Sequence, residues 1–72
     1  MNTEAAELNA HAEGCLTHAI GTNSHAEGYG TYANGSNSHA EGTDTIAGDY
    51  AHAEGYGTHA TGYHSHAEGN DT

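Results

Sequence analysis

The chain has no lysine and no arginine, against ten carboxylates and eight histidines, for a formal charge of −10 with the histidines neutral. Without a fixed cation it has nothing to displace phosphate counterions, which argues against nucleic-acid binding and against an anionic membrane surface. Val, Phe and Trp are absent, and Leu8, Leu16, Ile20 and Ile46 are the only large aliphatic residues. By composition alone this is a disordered chain, and 72 residues bury little surface without staples or partners. Cys15 stands alone, so neither a disulfide framework nor a cysteine-rich metal site is available. The opening MNTEAAELNA is acidic and polar, with no signal peptide and no membrane insertion expected from this segment; any export address is expected outside it.

What is present is repetition. Cut into sevens from Thr3, the chain reads TEAAELN, AHAEGCL, THAIGTN, SHAEGYG, TYANGSN, SHAEGTD, TIAGDY, AHAEGYG, THATGYH and SHAEGND, with Thr72 opening another unit. The unit is a hydroxyl residue or Ala, a variable residue, Ala, a variable residue, Gly, and two turn-type residues. Only Thr45 to Tyr50 is one residue short. Odd and even units differ, so the true period is fourteen, marked by His11, His25, His39, His52 and His66. The repeats run from about residue 3 to residue 72 and describe a single domain, 1–72.

A coiled coil also repeats in sevens, but its seam needs large apolar residues at two positions. Here those positions offer Ala, Ser and Thr, and nearly every unit carries a Gly that costs a helix about 1 kcal/mol relative to Ala. The strand reading fits better. In S-H-A-E-G, alternation by two puts Ser and Ala on one face and His and Glu on the other. Gly and the polar pair after it then supply the turn. Four strand residues and three turn residues make half a coil, so fourteen make one coil of a flattened, all-β parallel β-roll. Each coil has two short strands. Five coils stacked at strand spacing are on the order of 24 Å tall. The roll interior is expected to hold Ala12, Ala19, Ala26, Ala33, Ala40, Ala47, Ala53, Ala60 and Ala67, with the Ser/Thr row beside them. Small residues let two sheets approach closely, which reconciles folding with the lack of large aliphatics.

Fourteen-residue coils with S-x-A-x-G signatures, preceded by Asn at Asn23-Ser24 and Asn37-Ser38, resemble the head domains of trimeric autotransporter adhesins, the YadA-like, heptad-repeat haemagglutinin family. The HAEG variant also resembles repeats of phage tail-fibre and appendage proteins. The resemblance covers almost the whole chain. It implies a left-handed β-solenoid, a homotrimer, attachment to a host surface or matrix ligand, and a place on the extracellular surface or the phage virion. One departure stands out. The family commonly flanks the Ala with aliphatics, and here His and Glu take those places.

One outer face therefore repeats His11/Glu13, His25/Glu27, His39/Glu41, His52/Glu54 and His66/Glu68, and it is expected to form the subunit interface around a three-fold axis. The other face varies, with Glu4, His18, Tyr32, Ile46 and His59 in one column and Ala6, Ile20, Asn34 and Thr61 in the next. Stacked glutamates repel, and histidine is the only internal compensation. Each Glu lies two residues after a His on the same face, so imidazole N–H groups are expected to donate to Glu oxygens of the same or a neighbouring chain. The same ten residues raise a metal reading, since His-x-Glu aims two ligand types one way and three chains could gather imidazoles around a divalent metal such as zinc or nickel. The plainer reading needs no cofactor, because a solenoid repeats a hydrogen-bonded pair as a matter of course.

Catalysis finds little footing. Five of the histidines are copies, whereas an active site is a single asymmetric constellation in a pocket, so no enzyme is expected. Cys15, after Gly14 in an expected turn and three residues before His18, is expected to be an unreactive turn thiol rather than a nucleophile, since activation requires a specific electropositive setting. The threonine column Thr17, Thr31, Thr45, Thr58 and Thr72 resembles an ice-binding array, but it shares the inward face with Ala and is expected to be an internal hydroxyl ladder. Tyr29, Tyr56, Tyr50 and Tyr63 are expected at turns, where aromatics can stack on ligands. The functional expectation is a structural or adhesive fibre module, or a spacer. Its alternative is a filament subunit stacking end to end through uncapped coils.

Overall fold

The computed structural model describes residues 3–6 and 8–70, which contain strands and no helix. Short and long strands alternate along the chain. The short ones are β1 (Glu4–Ala5), β3 (His18–Ala19), β5 (Tyr32–Ala33), β7 (Ile46–Ala47) and β9 (His59–Ala60). The long ones are β2 (His11–Cys15), β4 (His25–Tyr29), β6 (His39–Thr43), β8 (His52–Tyr56) and β10 (His66–Asn70). They form two parallel five-stranded sheets, ordered β1-β3-β5-β7-β9 and β10-β8-β6-β4-β2. A parallel pair needs a crossover between its strands, and here the strand of the opposite sheet is that crossover, so the chain winds as a β-solenoid of about five coils. Register is like on like: His25 pairs with His39, Ala26 with Ala40 and Glu27 with Glu41.

The expected four-plus-three half-coil is corrected by this alternation. In the long half, Gly does not open the turn but lies inside the strand. Gly14, Gly28, Gly42, Gly55 and Gly69 hold φ between 110° and 118° and stack one on another. A Cβ on Gly42 would overlap the backbone of Gly55 on the adjacent strand, so only glycine lets the strands stay paired at this φ. The turns share a different device. The residue just before the first inward-facing residue of each half-coil is left-handed, from Asn9 (φ 61°) before Ala10 through Asn23 (60°) and Asn37 (57°) before Ser24 and Ser38 to His64 (61°) before Ser65. Asn adopts that conformation at less strain than most residues, which explains the recurrent N-S step. The serine hydroxyl then closes the turn: Ser24, Ser38 and Ser65 donate to the carbonyls of Gly21, Gly35 and Gly62 at 2.6 Å.

Inside the roll, Ala19, Ala26, Ala33, Ala40, Ala47, Ala53 and Ala60 are buried, as are Thr17, Thr31, Thr45 and Thr58. Ala12 and Ala67 sit on the outermost strands of their sheet and are only half-buried, though they pack on the same row. With nothing larger than threonine fully buried, the Cα trace measures 26 × 24 × 10 Å. The threonines do point inward, yet they make no hydroxyl ladder. Thr58 donates to the Glu54 carbonyl at 3.2 Å, whereas the hydroxyls of Thr17, Thr31 and Thr45 have no hydrogen-bond partner. Thr72 lies outside the described residues.

The short unit is absorbed in a turn. Ala33, Ala47 and Ala60 stay in register, and Gly48 donates to the Ala60 carbonyl as Asn34 does to Ala47. The missing residue therefore falls between Ala47 and Tyr50. Ala51 replaces the turn-closing serine there, and its own N–H bonds the Gly48 carbonyl at 3.2 Å.

Candidate functional site

The long sheet presents the repeated face. Alternation along each strand turns Ala inward and His and Glu outward, and parallel like-on-like register stacks each type on itself. All five expected pairs form, each within the chain. The Nε2 of His11, His25 and His39 lies 2.5 Å from the Oε1 of Glu13, Glu27 and Glu41; His52–Glu54 is 2.6 Å and His66–Glu68 is 2.7 Å. An ionised carboxylate can only accept, so Nε2 carries the proton and donates.

The rings themselves form a second ladder that the sequence reading did not anticipate. His11, His25, His39, His52 and His66 stack face to face, with centroids 4.7, 4.6, 4.6 and 4.8 Å apart and planes within 10°. The signal was in the sequence: an aromatic ring held at one register position must repeat at strand spacing, which is also stacking distance. The inner pairs are about a third to two-fifths exposed, and the outer pairs are more open, at 54–63 %.

The hydrogen bond from His25 holds the Glu27 carboxyl below its ordinary value against some desolvation, with further help from the nearby imidazoles of His25, His39 and His11. Glu54 is lowered in the same way, first by the bond from His52. Glu27 and Glu54, stacked among like charges, are thus each compensated first by the hydrogen bond from their own histidine.

Coaxial stacking keeps neighbouring ring nitrogens side by side rather than aimed at a common point. Among the described residues, no three or more His, Cys, Asp or Glu are grouped so as to hold a metal ion. The metal reading therefore finds no centre among the described residues of a single chain.

The opposite face varies as expected. Glu4, His18, Tyr32, Ile46 and His59 occupy one register column. His18 stacks on Tyr32 at 4.6 Å, and its Nδ1 lies 3.2 Å from Glu4 Oε1. Cys15, Tyr29 and Tyr56 end β2, β4 and β8 rather than lying in turns, and Cys15 is a free, half-buried thiol paired in register with Tyr29. Tyr50 and Tyr63 do sit in turns, where they meet His64: centroids are 5.3 Å for Tyr50–Tyr63, 5.0 Å for Tyr50–His64 and 4.6 Å for Tyr63–His64. His64 was missed by the sequence reading, although it holds the left-handed position that Asn23 and Asn37 hold in earlier coils.

No protein-family model matches the chain, and no curated protein or solved structure matches it either.

Proposed function

We propose that the chain is a non-enzymatic β-roll module of a homotrimeric fibre, related to the YadA-like adhesin heads or to phage tail-fibre repeats. In this reading it serves attachment or acts as a spacer at a cell surface or on a virion. The observation that carries the proposal is the contrast between the two faces. One face presents the same His–Glu pair five times in an unbroken stack, while the other changes from coil to coil. A solvent-facing surface has no need of such constancy, whereas a surface that meets the same neighbour along its length does.

Energetics point the same way. The interior holds alanines, serines and threonines, so each coil gains little from apolar burial, and Tyr29, Tyr32, Tyr56 and Leu16 remain exposed. Association through the ladder would cover side chains that are still a third or more open. The varied face, with His18, Tyr32, Ile46 and His59, is then left for a host-surface or matrix ligand.

Light scattering coupled to size-exclusion chromatography tests the reading. A discrete species of three times the 7.4 kDa chain mass is expected. Open-ended polymers would favour the end-to-end filament, and a monomer under all conditions would overturn both.

A further inference from the structure

Histidine is the only side chain here able to carry positive charge, and the arrangement of five of the eight makes their charge state decisive for one surface. When the ladder imidazoles are neutral, the face is a column of five carboxylates at strand spacing, a net −5. When they are charged, each becomes one half of a hydrogen-bonded ion pair 2.5–2.7 Å long, and the face is neutral overall. Across the whole chain, charging all eight histidines takes the formal charge from −10 to −2. No lysine or arginine can do this work at any pH.

We propose that the His/Glu face is a proton-gated self-association surface: copies of this chain dock through it when its imidazoles are charged and part when they are neutral. The inference rests on the reading that this is the face where copies meet, and it adds what governs the meeting. Two or three faces each at −5 repel when brought together, whereas zwitterionic faces offer alternating donors and acceptors at a shared repeat. Imidazole is also the side chain whose ordinary titration crosses the range from about pH 5 to pH 8.

The groups facing the ladder leave no competing control. Among the described residues, each ladder His and Glu lies beside the ladder residues of adjacent strands, and the other titratable side chains of those strands are Cys15, Tyr29 and Tyr56 at their ends. The opposite sheet turns buried Ala and Thr toward this one, and its Glu4, His18 and His59 point to the far side. Asp44 and Asp49 lie in turns. At the acid end, protonating the glutamates would leave the face positive, so association is confined to a window. The lowered values of Glu27 and Glu54 extend that window downward.

Sedimentation velocity on the full chain between pH 7.5 and pH 4 provides the test. Where docking takes up one proton, association tightens up to tenfold for each unit of falling pH, so a gain of up to about a hundredfold per proton taken up is expected between pH 7.5 and 5.5. Replacing all five ladder glutamates by Gln (E13Q, E27Q, E41Q, E54Q and E68Q) leaves a face that is neutral when its imidazoles are neutral and positive when they are charged, so the response should reverse in sign. The single H39Q variant, a milder change to the fold, should reduce the slope, whereas H18Q and H59Q should leave it in place. Association that ladder variants weaken but pH does not alter overturns the gating while the interface stands. Association indifferent to ladder variants, or absent at every pH, overturns both.

Discussion

Thr31→Val and Thr58→Val form a matched pair that isolates one buried hydroxyl. Both threonines are fully buried in the same inward column, one coil apart from Thr45 on either side, and both changes keep a β-branched residue of similar volume. They differ in one respect. Thr58 donates to the Glu54 carbonyl at 3.2 Å, and Thr31 has no partner. A buried hydroxyl without a partner costs about 1–3 kcal/mol, and a methyl in its place adds about 0.8 kcal/mol of apolar burial. Thr31→Val is therefore expected to stabilise by about 2–4 kcal/mol. Thr58→Val forfeits a hydrogen bond with a net worth of about 0.5–1.5 kcal/mol, which roughly cancels the same apolar gain. Urea unfolding followed by far-ultraviolet circular dichroism reads the difference as a higher midpoint for Thr31→Val with the slope unchanged. Protein concentration and pH must be held fixed, because association adds to apparent stability. If Thr31→Val is no more stable than Thr58→Val, the assignment of an unpartnered hydroxyl is wrong.

Gly42→Ala combines a φ of 113° with a Cβ driven into the Gly55 backbone and should abolish cooperative unfolding, whereas Gly62→Ala, where a Cβ meets only Ser65 at 3.6 Å, should be tolerated; thermal melts of both decide it. Asn37 is exposed at φ 57°, so Asn37→Ala should cost about 1 kcal/mol and Asn37→Gly much less, measured by the urea midpoint. Glu27 and Glu54 lie below the ordinary carboxylate value of 4.5, so the stability they contribute is complete above about pH 4.5 and is lost as pH falls through their lower folded values. Acid titration of stability should therefore steepen below that point, and E27Q combined with E54Q should flatten it.

Much of this roll could be read directly from spacing. The fourteen-residue period, the inward Ala and Ser/Thr rows and the shared face of His39 and Glu41 all follow from alternation by two applied to a repeat. The glycines were harder. Gly42 and Gly35 occupy the same place in the seven-residue unit, yet Gly42 lies within a strand at φ 113° and Gly35 follows β5 without a positive φ. A composition-based turn rule cannot separate them, because the difference arises from how far each ladder continues. Nor does a threonine's inward direction say whether a carbonyl lies within reach of its hydroxyl, which distinguishes Thr58 from Thr31. The short unit illustrates the same limit. Its six letters show that a residue is missing, but only the register of Ala47 against Ala33 and Ala60 shows that the turn absorbs the loss.

The substitution of His and Glu for aliphatics now has a physical argument. A column of exposed aliphatics on a roll this thin would be adhesive under all conditions, because hydrophobic attachment has no off state in water. A column of glutamates alone would never assemble, since like charges at strand spacing repel without relief. Placing an imidazole two residues before each carboxylate resolves both problems inside the chain. The hydrogen bond satisfies the carboxylate while the face is open, and stacking holds the rings flat at 4.6–4.8 Å, so no large ordering of side chains remains for association to bear. A ladder of this kind meets water and a neighbouring copy with nearly the same geometry, and only its protons need to change between the two.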